Sequence, residues 1–188
     1  MPVNFKKFGL VAGALFVCWL VVCKVVEPTT SSRDITVLKL ADNEVSEWTL
    51  DADGYKYFTN TDQCRAAING QADNYGRYLV SGFMQDMSKG STGKTLRYTV
   101  IDCGSAEDAT SLFNEILTIE VTGTKTQAGS YDLTTAAIDA DKLAGCKAYV
   151  HFGQYYAEIT PDGYSPKTDA VSAAVNFIEI LKGKIDKI

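Results

Sequence analysis

Apolar residues follow three patterns along this chain: one unbroken run near the start, alternation typical of strands, and three- and four-residue spacing typical of helices. The unbroken run covers residues 8–26, directly after Lys6 and Lys7, and no charged residue interrupts Phe8 to Cys23. A helix of about 19 residues, rising ~1.5 Å per residue, covers roughly the hydrocarbon thickness of a bilayer. The run therefore predicts a membrane or signal segment. The two lysines predict that everything after it lies outside the cytoplasm.

Three interpretations of residues 1–27 remain open. A cleaved signal peptide fits the basic start and apolar centre, but the small residues of a cleavage site are missing. A lipoprotein signal fits the order Leu20-Val21-Val22-Cys23, with Cys23 as the lipidated residue, although Val22 is bulkier than the residue usual at that point. An uncleaved anchor needs neither feature, and Lys24 can extend its ammonium to the headgroups. We favour the anchor.

Small residues cluster in the first half of this segment: Gly9, Ala12, Gly13 and Ala14. Such residues let membrane helices approach closely, and close packing governs helix association in a bilayer. Their clustering predicts contact with another membrane helix, and therefore a protein partner in a membrane complex.

Residues 28–34 form a short polar tether, and the pattern beyond it predicts one exported domain over residues 35–188. Strands are predicted at 35–40, 48–50, 55–58, 131–140 and 146–159, and a hairpin at 82–102. Helices are predicted at 61–79, at 105–117 and after Ser165-Pro166. Because the strands connect largely through hairpins, we expect an α+β fold with a mainly antiparallel sheet and helices packed on it.

The net negative charge of the chain argues against one class of partner, nucleic acid. The chain has 18 basic and 23 acidic residues, and the part beyond residue 27 has 15 and 22, a formal charge of −7. Phosphate binding needs a basic patch, so nucleic acid is not expected as a partner.

The five cysteines fall into two groups. Cys18 and Cys23 belong to the apolar run, whereas Cys64, Cys103 and Cys146 belong to the exterior domain, where oxidising conditions favour pairing. Cys103 leaves one predicted central strand and Cys146 enters another, so antiparallel pairing would bring them together. We expect a Cys103–Cys146 disulfide, with Cys64 as an alternative partner for either residue.

No set of residues in the sequence predicts catalysis, a metal ion or a cofactor. His151, the single histidine, lies in a predicted strand among tyrosines, which is typical of a half-exposed cross-strand partner. The aspartate pairs at positions 51 and 53 and at 139 and 141 are too short for a calcium loop. The stretch Gly93-Lys94-Thr95 lacks the opening glycine of a phosphate-binding loop and precedes a strand instead of a helix.

Ten tyrosines are the most distinctive side chains of the exterior domain. Tyrosine suits both ligand pockets and protein interfaces, because it joins an apolar body to a polar tip. If the first helix packs on the last strand, four of them would converge on a pocket or an interface: Tyr75, Tyr78, Tyr149 and Tyr155.

Two blocks of the exterior domain stand out as motifs. The first is Ala67-Ile68-Asn69-Gly70-Gln71-Ala72-Asp73-Asn74-Tyr75, followed by Gly82-Phe83, and the second is DCGSAEDA at residues 102–109. With the aromatic strand at 145–159, they resemble a family of uncharacterised bacterial exported, lipoprotein-like domains. That family carries a Y-I-N-G-x-A-x-x-Y helix, although Ala67 stands where an aromatic residue is usual. The resemblance covers residues 55–159 and implies an exported single domain, with no catalytic residue or cofactor.

Anchor and domain together predict a non-catalytic accessory or structural subunit of a membrane-associated complex. Its folded domain would lie in the periplasm or outside the cell, on a bacterial inner or outer membrane. The alternative is an exported lipoprotein that binds a small ligand in the tyrosine-rich pocket.

Overall fold

The computed structural model describes residues 34–68, 70–121, 123–140 and 145–188. Within these residues, seven strands form one antiparallel sheet in the order β1-β2-β3-β7-β6-β5-β4. Their bounds are β1 Trp48–Phe58, β2 Ser81–Lys89, β3 Lys94–Asp102, β4 Thr126–Gln127, β5 Ala136–Asp139, β6 Lys147–Phe152 and β7 Tyr155–Asp162. The α+β class and the antiparallel sheet are confirmed. The segment predicted to enter the membrane lies outside the described residues.

Two runs of consecutive hairpins meet at the centre of the sheet. β1 to β3 form one run and β4 to β7 form the other, and they join where β3 pairs with β7, with Val100 opposite Ala157. Helix α3, Ala106–Glu120, carries the chain from the first run to the second. We call the β3–β7 pairing the seam.

Helices cover both faces of the sheet. One face carries α3 with two short helices, α1 Thr61–Ala67 and α2 Ala72–Gly76. The other carries α4 Lys167–Ile185 and a 3-10 helix, Ile35–Leu38. Each face has its own apolar core, so side chains that alternate along a strand enter different cores. Within the described ranges, no helix is both long and apolar enough to cross a bilayer.

Helix α3 begins as its sequence predicts. The Asp108 backbone N–H donates to Ser105 Oγ at 3.0 Å, and Ser105 Oγ donates to Asp108 Oδ2 at 2.8 Å. The side chains predicted to face inward are buried: Ala109, Leu112, Phe113, Ile116 and Leu117.

The single helix predicted over 61–79 is wrong, because the chain forms α1 and α2 with a break between them. Gly70 has a φ of +109° there, a conformation that ends helical geometry and that glycine adopts without strain. The break turns Ile68 and Gln71 toward the sheet, where both border a cleft.

The long strand predicted over 146–159 is also wrong, because the chain reverses and forms β6 and β7 instead. Gly153 has a φ of +54° in the two-residue turn, and His151 lies opposite Tyr156. The reversal exchanges the faces of the residues that follow it. Tyr156, and not Tyr155, therefore shares a face with Tyr149.

Residues 35–40, predicted as a strand, form the 3-10 helix and a short extended segment. Asp34 Oδ1 accepts a hydrogen bond from the Thr36 N–H at 2.9 Å and caps the 3-10 helix. The buried Gln85 side chain then holds both polar backbone groups of Leu40: the Leu40 N–H donates to Oε1 at 2.9 Å, and Nε2 donates to the Leu40 oxygen at 3.1 Å. This pair of bonds fixes the start of the domain against β2.

Candidate functional site

Two cations flank a threonine on the sheet face that carries α1, α2 and α3. Arg97 on β3 lies directly opposite Thr160 on β7. Lys147 on β6 lies on the other side of Thr160, because the register of β6 with β7 places Ala148 opposite Ile159. Strands lie about 4.8 Å apart, so the Arg97 and Lys147 Cα atoms are roughly 10 Å apart. We call Lys147, Thr160 and Arg97 the cation row.

Carboxylates close both ends of the cation row. Asp86 on β2 is opposite Arg97, and Asp139 on β5 is opposite Lys147. Arg97 Nε and Nη2 donate to the two carboxylate oxygens of Asp86 at 2.8 and 3.0 Å. This bidentate pair fixes one edge of the guanidinium and leaves the Nη1 side of its fork directed away from Asp86.

A buried carboxylate, Glu158, lies in the next row of the same face. Its Oε1 accepts hydrogen bonds from Tyr75 Oη at 2.5 Å and Tyr156 Oη at 2.7 Å. Its Oε2 lies 2.7 Å from Lys147 Nζ. A charge in this position is expensive to bury unless several partners surround it, and these three donors supply that environment.

A second carboxylate completes this group at the end of α3. Glu120 Oε2 lies 3.7 Å from Lys147 Nζ, and Glu120 Oε1 accepts a hydrogen bond from Gln71 Nε2. Gln71 in turn accepts from Asn74 Nδ2 at 2.5 Å. Lys147 is therefore shared by two carboxylates. Through Glu120 and Gln71, these contacts connect the α1–α2 break to the sheet.

The cleft bordered by these side chains has a volume of about 210 Å³. It lies where the helical layer ends and the sheet face becomes exposed, at the seam between β3 and β7. We call it the polar cleft. Its lining residues are Ile68, Gln71, Tyr75, Arg97, Thr99, Lys147, Glu158 and Thr160.

Beyond Arg97 the polar cleft continues into a shallower groove on the exposed sheet face. The two share Arg97 and Thr160, and the groove has a volume of about 370 Å³. Three carboxylates line it: Asp51, Asp86 and Asp162. Negative charge therefore bounds the polar cleft on its open side.

The tyrosine hydroxyls of this site act as donors. Burial, followed by the neighbouring Glu158 carboxylate, raises the pKa of Tyr75 and of Tyr156 far above the ordinary value of 10.0. Burial also raises the pKa of Tyr149, whose hydroxyl has no hydrogen-bond partner among the described residues. All three phenols are protonated at physiological pH.

The predicted tyrosine cluster forms only in part. Tyr75 and Tyr149 share one core, and Tyr78 packs at its edge with its hydroxyl 3.3 Å from Glu115. Tyr155 belongs to the core on the opposite face, so its inclusion was wrong. The reason is the reversal at Gly153, which places Tyr156 beside Tyr75, with ring centroids 6.1 Å apart.

The predicted Cys103–Cys146 disulfide is not formed. The Cys103 N–H donates to the Gln154 oxygen at one end of β7, whereas the Cys146 N–H donates to the Pro161 oxygen at the other. These ends are roughly 23 Å apart at ~3.3 Å per residue, and a bridge needs Cα atoms within about 7 Å. Cys64, Cys103 and Cys146 are all free and buried.

His151 lies outside the polar cleft. Its Nε2 is 2.7 Å from the Thr134 oxygen, its Nδ1 is 3.5 Å from Thr110 Oγ1, and its ring packs on Phe113. Within the described ranges, no three histidine, cysteine or carboxylate side chains are placed to hold a metal ion. The Gly93-Lys94-Thr95 stretch closes the β2–β3 hairpin.

Sequence reasoning missed the charged members of the site. Glu158 stands between Ala157 and Ile159 in an apolar strand, and an isolated carboxylate in such a strand is itself a signal of a paired group. Arg97 and Lys147 carry no comparable signal, because their proximity depends on the β3–β7 and β6–β7 registers.

Comparison of the chain with protein-family models, with curated proteins and with solved structures gives no match.

Proposed function

We propose that the described domain is a non-catalytic binding module that takes a small polar ligand in the polar cleft. The observation that carries this proposal is the cation row: the pairing of β3, β7 and β6 places Arg97, Thr160 and Lys147 side by side in the lining of the cleft. Ligand sites are concave and combine apolar walls with a few fixed polar groups. Ile68 and the Tyr75 ring supply such a wall, and the Glu158 hydrogen bonds fix Lys147 and Tyr75 in place.

Binding fits this site better than catalysis does, because the cysteines, the buried tyrosines and His151 are unsuited to nucleophilic or general-base chemistry there. Burial raises the pKa of Cys64 to about 11 and that of Cys103 and Cys146 to about 12, so each is a neutral thiol at physiological pH. The tyrosines beside Glu158 are also protonated. His151 is held by Thr134 at a distance from the cleft.

The proposal includes the anchor predicted from residues 8–26 and an accessory role beside a membrane partner. The 3-10 helix, the first described element after the tether, lies on the α4 face of the sheet, and the polar cleft lies on the other face. An anchored domain would thus attach by one face and present its cleft on the opposite one.

A fragment screen on the full-length chain in a neutral detergent tests the proposal. Ligand-observed NMR with compounds of about ten non-hydrogen atoms suits a cleft of this size. Thr160→Phe fills the cleft, and Ser88→Phe adds the same ring at a half-buried position on the same face, outside the cleft lining. We expect hits that Ser88→Phe retains and Thr160→Phe loses. Hits unaffected by Thr160→Phe, or no hits at all, would contradict a ligand site here.

A further inference from the structure

We infer that the ligand of the polar cleft is a small monocarboxylate, which binds across the cation row. This inference rests on the proposed function and specifies the chemistry of its ligand. Three independent features carry it: the unused hydrogen-bond donors of the cleft, the geometry of Arg97, and the carboxylates that surround the site.

The first feature is an excess of unused donors in the cleft. Thr99 and Thr160 make no side-chain hydrogen bond to the described residues, although both line the cleft and Thr99 is buried. Lys147 has two carboxylate partners, and its Nζ also lies over the Tyr149 ring, 5.2 Å from the ring centroid. The unused donors are therefore the two threonine hydroxyls and the free N–H groups of Arg97.

The carboxylate and amide acceptors of the cleft, by contrast, already accept hydrogen bonds. Glu158 accepts from two tyrosines and Lys147, and the Gln71 oxygen accepts from Asn74. A ligand rich in acceptors, such as a carboxylate, therefore complements this arrangement.

The second feature is the orientation of Arg97. Asp86 occupies its Nε–Nη2 edge, so Nη1 and the second N–H of Nη2 have no hydrogen-bond partner among the described residues. A carboxylate matches the spacing of two such N–H groups, and paired bonds of this kind add specificity as well as affinity. Thr160 lies between this fork and Lys147 and can donate to the same carboxylate.

The third feature limits the ligand to one negative charge. Glu158 and Glu120 lie behind Lys147, Asp86 lies behind Arg97, and further aspartates line the groove outside. These carboxylates outnumber the two cations, so the site is net negative before a ligand binds, and the attraction for a carboxylate comes from the hydrogen-bond donors described above. A second negative charge on the ligand adds further repulsion, so a monocarboxylate is favoured over a dianion. The volume of about 210 Å³ equals that of roughly seven water molecules, which suits a compact acid.

The experiment titrates the full-length chain, in a neutral detergent, with matched ligand series. Monocarboxylates of three to eight carbons are compared with their primary amides and with inorganic phosphate by ligand-observed NMR at fixed ionic strength. Each series is repeated on Arg97→Gln, Arg97→Lys and Thr160→Phe, and on Lys187→Gln, which removes an exposed cation just beyond α4. Circular dichroism checks that each variant is folded. Arg97 is more than half exposed, so its replacement leaves the core intact.

We expect carboxylates to bind at least tenfold more tightly than their amides. Arg97→Gln should abolish that preference, Arg97→Lys should retain part of it, and Lys187→Gln should leave it unchanged. If the amides bind as tightly as the acids and Thr160→Phe abolishes both, the carboxylate inference is wrong, whereas the proposed binding function is supported. Phosphate that binds more tightly than the acids would also overturn it. If no compound binds in a way that Thr160→Phe abolishes, the proposed function fails, and the inference fails with it.

Discussion

The Glu158 carboxylate has three donors of two kinds. Tyr75 and Tyr156 donate neutral hydroxyls to one oxygen, and Lys147 contacts the other with a full charge. A hydrogen bond to a charged group stabilises more than one between neutral groups, and removing a single donor leaves the carboxylate partly unsatisfied. The residues around Glu158 are therefore sensitive positions for stability as well as for binding.

Tyr75→Phe should lower the free energy of unfolding by about 1–2 kcal/mol, because it removes one donor and leaves the ring in place. The double variant Tyr75→Phe/Tyr156→Phe should lower the free energy of unfolding by more than the sum of the two single changes, because Glu158 then keeps only Lys147 as a donor. The measurement is urea unfolding of the full-length chain, followed by the fluorescence of the buried Trp48.

Tyr78→Phe is the matched control, because the Tyr78 hydroxyl is only half-buried and lies 3.3 Å from Glu115. It should change the stability by less than about 0.5 kcal/mol. A Tyr75→Phe variant as stable as Tyr78→Phe would show that the Glu158 network adds nothing to stability.

At the scale of elements, two glycines both have room for a side chain but differ in backbone conformation. No atom lies within 4 Å of a Cβ built on Gly70 or on Gly183. Gly70 has a φ of +109° at the α1–α2 break, whereas Gly183 lies within α4. The backbone conformation alone therefore decides the effect of a methyl group.

Gly70→Ala should destabilise the chain by about 1 kcal/mol or more, because alanine is strained at that φ. Gly183→Ala should stabilise it by roughly 0.5–1 kcal/mol, because alanine favours the helix and restricts the unfolded chain. Urea midpoints at a constant denaturant slope give both values. Effects of the same sign at the two positions would contradict this account.

The elements that the sequence predicts correctly are those set by local pattern. The capping residues and inward spacing of α3 are local, and so is the β2–β3 hairpin. Two of the errors occur where one glycine changes the chain direction: Gly70 breaks a helix, and Gly153 reverses a strand. The second error moved Tyr155 to the wrong face, because a reversal changes which residues share a side of the sheet.

The polar cleft was only partly predictable for a related reason. Tyr75, which lines the cleft, and Tyr149, which shares its core, were predicted from the packing of a helix on a strand, which periodicity can suggest. The cation row depends on the β3–β7 pairing, which joins residues about sixty positions apart, and no local pattern encodes that register. The same applies to Cys103 and Cys146. They are far apart because each is hydrogen-bonded next to a different end of β7, and no local pattern predicts those two contacts.

At the scale of the whole molecule, the state of the N-terminus is still a prediction. Intact mass spectrometry of the mature protein distinguishes the three alternatives for residues 1–27. We expect an unprocessed mass, because the segment lacks small residues for cleavage and has Val22 before Cys23. A mature chain that starts at a diacylglyceryl-modified Cys23 would establish the lipoprotein alternative. A shorter unmodified chain would establish cleavage.

The seam also has a consequence for the order of events in folding. The first hairpin run supplies Arg97 and Thr99, and the second supplies Lys147, Glu158 and Thr160, so the polar cleft exists only after the two runs have joined. A ligand that binds only the joined state stabilises it by mass action. If the runs join after the folding transition state, the ligand leaves the folding rate nearly unchanged and slows unfolding. Occupancy would then act chiefly on the lifetime of the folded domain.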